Sequence, residues 1–217
     1  MTTPQMRPEL ADLPTRMRGL PLDKRGYPVP KFVQWINGEP DFRFMDQEHW
    51  IHCVEQHLCW VCGERLGVYQ AFVIGPMCTV NRTTSEPPCH LDCARWSARN
   101  CPFLSRPHMR RREDELTREH EENIAGCPIP RNPGAACVWI AKDFKIWRDD
   151  KNAPLIEIGE PTAVEWWSQG QPATRVEVEE SIRTGLPFLE KLAREEKGGM
   201  EALAENVKRA ERWYPAA

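Results

Sequence analysis

The sequence lacks the features of a membrane-spanning or exported chain. Its 217 residues contain no apolar run near the ~20 residues that a helix needs to cross a bilayer. The first ten residues carry prolines and a glutamate where a secretory signal needs an apolar stretch. A composition with 41% hydrophobic and 28% charged residues also excludes a disordered or fibrous chain. We therefore expect a soluble, cytoplasmic protein with a substantial core.

Several signatures of catalysis are missing as well. The sequence has no glycine-rich loop that would cradle phosphates, no nucleophile elbow and no dinucleotide-binding fingerprint. These absences exclude the nucleotide-dependent and hydrolytic enzymes that are recognised by those motifs. The sequence therefore favours a non-enzymatic protein, and we assign no catalytic residue.

Charge is distributed unevenly along the chain. The net charge of −3 is the balance of −1 over residues 1–58, +5 over residues 59–112 and −7 over residues 113–217. Six prolines and little apolar periodicity in residues 1–30 predict an extended leader that lies on the domain or is loose in solvent. We expect residues 31–112 to form a hairpin, a helix and a zinc-binding module. Residues 113–217 are expected to form an acidic region of a hairpin and helices, packed on the first.

The order of predicted elements indicates an α+β fold with two β-hairpins, a treble-clef-like zinc module and a helical C-terminal region. Asn37-Gly38 between apolar runs is the strongest hairpin signal. The other predicted elements are a helix over 46–57, a strand over 68–74, a helix over 86–99, a charged helix over 110–123, a hairpin turning at 149–152 and a short helix over 161–168.

The C-terminal part of the chain is predicted to be helical. Thr174 and Glu177 have the spacing of a capping box, which opens a helix there. Gly185 and Pro187 are expected to break this helix before it resumes. The last helix has an apolar stripe containing Leu203, and we expect that stripe to pack within the chain, so that the protein is a monomer.

A metal site is the most specific signal in the sequence. Cysteines clustered in an intracellular chain suggest metal binding rather than disulfides. Cys59 and Cys62 form a CxxC motif followed by a glycine, and His90 and Cys93 follow three residues apart at the start of a predicted helix. We predict that these four residues bind one zinc ion. Four protein ligands close the tetrahedron and make the ion structural rather than catalytic.

Other assignments of the cysteines remain open at this point. Cys89 stands four residues before Cys93 and is an alternative to His90, and Cys101 is a candidate for a four-cysteine site that would also suit an iron–sulfur cluster. A redox pair at CxxC is less favoured because the motif follows a helix and precedes a strand. His49, Cys53 and His57 share one helical face, which we interpret as a solvent-facing polar stripe.

Longer stretches around these cysteines resemble known sequences. CWVCGERLG, VNRTTSEPPCHLDCARWSARNCPFL and PRNPG resemble a set of zinc-binding, treble-clef-like proteins of bacteriophages and of actinobacterial and proteobacterial genomes, which have no assigned activity. The resemblance extends over most of the chain. It implies a phage or prophage origin and a metal site, and it implies no mechanism.

The predicted order of a CxxC turn, a loop that contains a strand, and a helix is also similar to that of HNH nucleases. Those enzymes need a histidine general base on the strand that follows the CxxC turn. Residues 68–80 contain no histidine, and only Asn81 and His90 are candidate remnants of such a site. A diverged HNH-like treble-clef nuclease is therefore the alternative to a non-enzymatic binding or regulatory protein.

A basic stretch follows the zinc ligands. We expect a cationic surface with an aromatic platform, which would contact nucleic acid or an acidic host protein and no membrane. A plain solvated surface, with arginines paired to neighbouring carboxylates, is the competing interpretation. The predicted contact residues, called the Arg-rich face below, are Arg82, Arg95, Trp96, Arg99, Arg106, Arg110, Arg111 and Arg112.

Overall fold

A computed structural model describes residues 5–10, 12–45, 47–107, 109–110, 132–149 and 151–216 of the chain. The fold is mixed α+β with antiparallel sheets, as the sequence predicts. The helix predicted over 110–123 falls almost entirely outside the described residues. The division of the chain at residues 30 and 112 stays a prediction.

Three antiparallel sheets organise the described residues. A two-stranded hairpin pairs β1 with β2, a four-stranded sheet has the order β3-β5-β8-β9, and a three-stranded sheet has the order β4-β7-β6. The strands are β1 (Val33–Ile36), β2 (Glu39–Met45), β3 (Gln70–Ile74), β4 (Thr83–Thr84), β5 (Ala135–Ala141), β6 (Phe144–Arg148), β7 (Pro154–Ile158), β8 (Pro161–Ser168) and β9 (Gln171–Pro172).

Helices cover both faces of the four-stranded sheet. The helix α3 crosses one face of β3 and β5, whereas α2, α5 and α6 pack against each other on the opposite side. None of these helices combines the length and apolar character that a membrane-spanning helix needs. The helices are α1 (Gln47–Glu55), α2 (Pro76–Asn81), α3 (Leu91–Asn100), α4 (Pro102–Ser105), α5 (Arg175–Ala193) and α6 (Gly199–Ala210).

The strand β5 is the centre of the molecule. All seven of its residues are buried, because its two faces take part in different hydrophobic clusters. Trp139 belongs to the cluster that contains residues of α5 and α6, and Val138 belongs to the cluster that contains the three cysteines predicted to bind zinc. A continuous apolar run is what a strand covered on both faces requires.

One side of the four-stranded sheet is covered by the N-terminal segment, the CxxC turn and α3, which together we call the metal-side layer. In the N-terminal segment, Leu10, Leu13 and Met17 are buried against this layer, and Thr15–Met17 forms a 3-10 turn. The described part of the proline-rich segment therefore lies on the domain and contributes to a core.

The other side is covered by α2, α5, α6 and the three-stranded sheet, which together we call the helix-side layer. The sequence interpretation that Gly185 and Pro187 break α5 is wrong, because α5 runs through both. A Cβ on Gly185 would lie 2.7 Å from Cε of Met77. The glycine therefore permits the close approach of α2 rather than ending a helix.

Two other local assignments need correction. Residues 161–168 form β8 and not a short helix. Their threonine, valine and tryptophans favour a strand, and this strand pairs with the edge of β5 that β3 leaves open. The second predicted helix begins at Leu91 and not at residue 86. Pro87 and Pro88 hold the preceding chain extended, so that Cys89 pairs with Ala71 of β3.

The first hairpin and α1 form where the sequence predicts them. Asn37 and Gly38 both have positive φ and make the turn between β1 and β2. The predicted polar stripe on α1 is only partly correct. His49 and His57 are exposed, but Cys53 is fully buried and its thiol donates to the carbonyl of Leu58.

Candidate metal centre

The CxxC turn aims two thiols at one point. Gly63 has a φ of 80°, which a side chain disfavours, and its N–H donates to the carbonyl of Cys59 at 2.8 Å. This tight turn brings the N–H of Cys62 to 3.4 Å from Sγ of Cys59. The glycine that follows the motif is therefore part of the local geometry of the site.

The second pair of side chains comes from the start of α3. The bridge between Ala71 and Cys89 fixes the chain just before the helix, with N–H to carbonyl distances of 2.9 and 2.7 Å. His90 is the N-cap residue of α3 and Cys93 lies in the first turn. The N–H of His90 also points to Sγ of Cys59 at 3.4 Å. The β3 strand and the helix start thus place both residues opposite the CxxC turn.

The structure brings all four predicted ligands together. The three sulfur atoms and one imidazole nitrogen lie within 4.8 Å of one another. Sγ of Cys62 lies 3.4 Å from Nδ1 of His90. Tetrahedral bonds of about 2.0–2.3 Å to one zinc ion place its ligand atoms roughly 3.5–3.8 Å apart, so the spacing suits one ion. Cys59 and Cys93 are fully buried, whereas Cys62 and His90 are half-buried.

The imidazole of His90 is oriented for metal binding through Nδ1. Its Nε2 lies 3.0 Å from the carbonyl oxygen of Arg65, which can only accept a hydrogen bond. The Nε2–H tautomer satisfies that carbonyl and leaves the Nδ1 lone pair facing the sulfurs. A backbone carbonyl on the far nitrogen is a common way for proteins to orient a metal-binding histidine.

Arg16 from the N-terminal segment closes the site from outside. Its Nε donates to Asp92 at 2.9 Å and its Nη1 donates to Glu64 at 3.1 Å, beside the imidazole of His90. These contacts connect three segments that are distant in sequence. Arg16 thus fastens the N-terminal segment over the cluster.

Sequence reasoning missed Arg16 and the carboxylates of Asp92 and Glu64. Arg16 and Arg18 both lie between Pro14 and Pro21, and nothing in that local sequence indicates that one of them has a role at a metal site. The only available signal was the apolar spacing of Leu10, Leu13 and Met17, which indicates a segment that packs against something.

The three thiols are hydrogen-bonded to one another, so the protonation of each depends on the other two. Burial raises the pKa of Cys59, but hydrogen bonds from the other two thiols and from the N–H groups of Cys62 and His90 outweigh burial and lower it to about 3. Hydrogen bonds to Cys59 and Cys62 raise the pKa of Cys93, which retains its proton. The cluster therefore already stabilises one thiolate, and binding of a metal ion would displace the remaining protons.

The alternative cysteine ligands lie outside the cluster. Cys89 is fully buried and donates its S–H to the carbonyl of Ala71 at 3.2 Å, and burial raises its pKa well above the ordinary value. Burial also raises the pKa of Cys101, at the end of α3. Among the residues that the structure describes, only one set of at least three potential ligands converges, and it contains neither cysteine.

The Arg-rich face is more neutral than its sequence suggests. Arg95 donates to both carboxylate oxygens of Glu165, with Nε to Oε2 at 2.9 Å, and Arg99 forms an ion pair with Asp12. These carboxylates come from β8 and from the N-terminal segment, so sequence proximity could not reveal them. Both arginines therefore attach α3 to its surroundings.

Other members of the predicted face are separated or buried. Trp96 is 6% exposed and cannot serve as the stacking platform that the sequence suggested. Arg82 lies in the helix-side layer, with its guanidinium 5.6 Å from the ring centre of Trp139. Arg106 donates to the hydroxyl of Tyr27 at 3.1 Å, and Arg110 is exposed. Arg111 and Arg112 lie outside the described residues.

Comparison with known proteins yields no relative: no protein-family model, no curated protein and no solved structure matches the chain.

Proposed function

We propose that the chain is a non-enzymatic binding or regulatory protein in which one structural zinc ion, held by Cys59, Cys62, His90 and Cys93, stabilises a treble-clef-like module. The observation that carries this proposal is the closed arrangement of three thiols and one imidazole within 4.8 Å. Four protein ligands leave no position for a substrate or an activated water. The phage or prophage origin implied by the sequence resemblance remains a prediction.

We also propose that the exposed part of the Arg-rich face contacts a polyanionic partner, either nucleic acid or an acidic host protein. Arg106 and Arg110 form no ion pair with any carboxylate among the described residues. Arg110 directly precedes Arg111 and Arg112 in the sequence, and Arg106 stands four residues before Arg110. Arginines that cluster in this way attract phosphates or carboxylates without strong sequence preference.

The nuclease alternative predicts a different chemistry. A general base must be free to take a proton from water, and the imidazole of His90 is instead turned into the cluster. The experiment incubates purified protein with plasmid DNA and Mg²⁺ or Mn²⁺ while zinc content is measured by elemental analysis. One zinc per chain without cleavage is the expected result.

Metal-dependent cleavage that is lost in His90→Ala or Asn81→Ala would contradict the proposal and favour the nuclease.

The contact surface is tested separately by retention on duplex DNA across a salt series. Replacing Arg106 and Arg110 to Arg112 with alanine should make binding weaker and less salt-dependent, with the slope reduced by about 0.9 for each phosphate that the protein no longer neutralises. Unchanged retention would remove this face from consideration.

A further inference from the structure

The outer face of the three-stranded sheet carries an open cleft that is separate from the metal centre. The cleft has a volume of about 270 Å³. It forms where the end of α2 meets β4, β6–β7 and the last turn of α6. Its lining residues are Asn81, Arg82, Thr83, Trp147, Glu157 and Arg209.

Strand register explains why these side chains share a face. Thr83 pairs with Glu157, which also pairs with Lys145, and directly paired residues point to the same side of a sheet. Trp147 lies two residues beyond Lys145 and therefore points the same way. The alternate residue Ile156 is fully buried against the core. Trp147, by contrast, is 43% exposed, so its indole forms an accessible wall of the cleft.

Two arginines line the cleft. Arg82 is held in place, because its Nε and Nη2 donate to the carbonyl of Ile158 at 3.2 and 2.8 Å and its side chain is only 13% exposed. It also pairs with Glu160. Arg209 donates from Nη2 to Asn206 at 2.9 Å and forms no ion pair with the described residues, so its other N–H groups are available to a ligand.

Glu157 adds an acceptor of opposite charge. Its carboxylate forms no ion pair within the part of the chain that the structure describes, and it lies on β7 between Thr83 and Lys145. An aromatic wall, guanidinium groups and a carboxylate within one small cleft suit a ligand that carries a planar ring, an anionic group and an amino group.

We propose that this cleft binds one nucleotide with an amino-bearing base. The base would stack on Trp147, the phosphate would lie against Arg209 with support from Arg82, and Glu157 would accept from the exocyclic amino group. A free nucleotide and one unit of a single-stranded nucleic acid present the same chemistry. The site shares Arg82 with the predicted Arg-rich face but none of its other members, it adds a stacking wall, and it needs no metal ion.

The test measures dissociation constants for cytidine monophosphate, hexadeoxycytidylate and hexathymidylate at low salt. Trp147→Ala is expected to weaken binding by about tenfold through loss of stacking. Arg209→Ala should reduce the salt slope by about one unit. Matched controls are Trp35→Ala, at a tryptophan that is 45% exposed on the first hairpin, and Arg183→Ala, at an exposed arginine of α5. Neither control should change binding.

Each outcome decides a part of the proposal. Tight binding of hexadeoxycytidylate alone identifies a single strand as the source of the nucleotide, and comparable binding of the monophosphate identifies a free nucleotide. Glu157→Gln should reduce the preference for cytosine over thymine. Absence of binding at millimolar concentrations would overturn the proposal. Binding that survives Trp147→Ala and Arg209→Ala but is abolished in Arg110→Ala would do the same and would assign the contact to the Arg-rich face.

Discussion

The two layers that cover the four-stranded sheet differ in the side chains that they bury. The helix-side layer packs large apolar side chains, including Trp139, Trp166 and Leu203. The metal-side layer also buries Trp96 and Met17, but it adds several small residues, among them Ala71 and Ala94, and the cysteines of the cluster. Because the hydrophobic contribution scales with the apolar area buried, each of these small side chains contributes less than a buried tryptophan or leucine. The comparison predicts that a metal ion bound at the cluster stabilises the metal-side layer, whereas packing stabilises the helix-side layer.

Removal of a metal ligand should have the largest effect, and it should be confined to one layer. Cys93→Ser is expected to abolish zinc binding and to unfold the metal-side layer, because the binding energy of a structural zinc ion, about 10 kcal/mol or more, is also folding energy. Zinc content and near-ultraviolet circular dichroism of the purified protein check this expectation.

The matched control for that variant is Cys78→Ser, on α2 in the helix-side layer. It should keep one zinc per chain and retain the dichroism of the natural protein. Loss of zinc in both variants, or in neither, would show that the cluster is not the metal site.

A buried charge in the helix-side layer should have the next largest effect. Leu203 is 9% exposed, and Leu203→Asp is expected to lower the free energy of unfolding by about 3 kcal/mol while zinc content stays unchanged. Chemical denaturation measures the loss. Met200→Asp on the same helix is the control, since Met200 is 39% exposed and should tolerate the change.

The same variant also tests the expected monomer. The stripe on α6 lies against α2 and α5 of its own chain. Sedimentation should therefore give the mass of one chain for both the natural protein and Leu203→Asp. A natural dimer that Leu203→Asp converts into folded monomers would show that the stripe is an interface.

The four residues of the candidate metal cluster could be predicted from sequence because the geometry of each pair is local. CxxC followed by glycine defines a turn, and a histidine and a cysteine three residues apart at a helix start point to the same side. The same reasoning failed where a long-range neighbour decides the outcome. Trp96 is buried by a sheet that is formed by distant residues, and Gly185 is explained only by the approach of Met77.

Charge partners were the least predictable feature. Arg95 and Arg99 lie on adjacent turns of α3, and the sequence alone indicates that they form a cationic surface. Their carboxylate partners, Glu165 and Asp12, are 70 and 87 positions away. Only the folded chain shows that both charges are paired.

Loss of Arg16 should weaken the connection between the N-terminal segment and the cluster. Arg16→Ala removes hydrogen bonds to Asp92 and Glu64 beside His90, and changes of this kind around a metal ligand typically lower metal affinity by about tenfold or more. Competition with a chromogenic chelator measures the affinity. Arg18→Ala, two residues away and exposed, is the control. Equal affinities in the two variants would refute the role assigned to Arg16.

The smallest expected effect concerns the start of α5. Thr174 and Glu177 form the predicted capping box, and Thr174→Ala should cost about 1 kcal/mol in the helix-side layer without changing zinc content. Thr184→Ala is the comparison, because Thr184 lies within α5 and does not cap its end. Thermal unfolding at pH 7 measures the difference between the two variants.

The pH dependence of this cap has a defined sign. Hydrogen bonds from the backbone and hydroxyl of Thr174 and from Ser168 lower the pKa of Glu177. The stabilisation is therefore present above the unfolded-state pKa of about 4.3 and is lost as pH falls through the lower folded value. Glu177→Gln should remove that dependence in acid titrations, and an unchanged titration would contradict the assignment.

Hydrogen exchange with and without a zinc chelator tests the central claim most directly. If a metal ion holds one layer and packing holds the other, chelation should remove protection from residues 12–29 and 91–100. Residues 175–193 and 199–210 should keep theirs. Equal loss of protection in both layers, or no loss in either, would contradict the account.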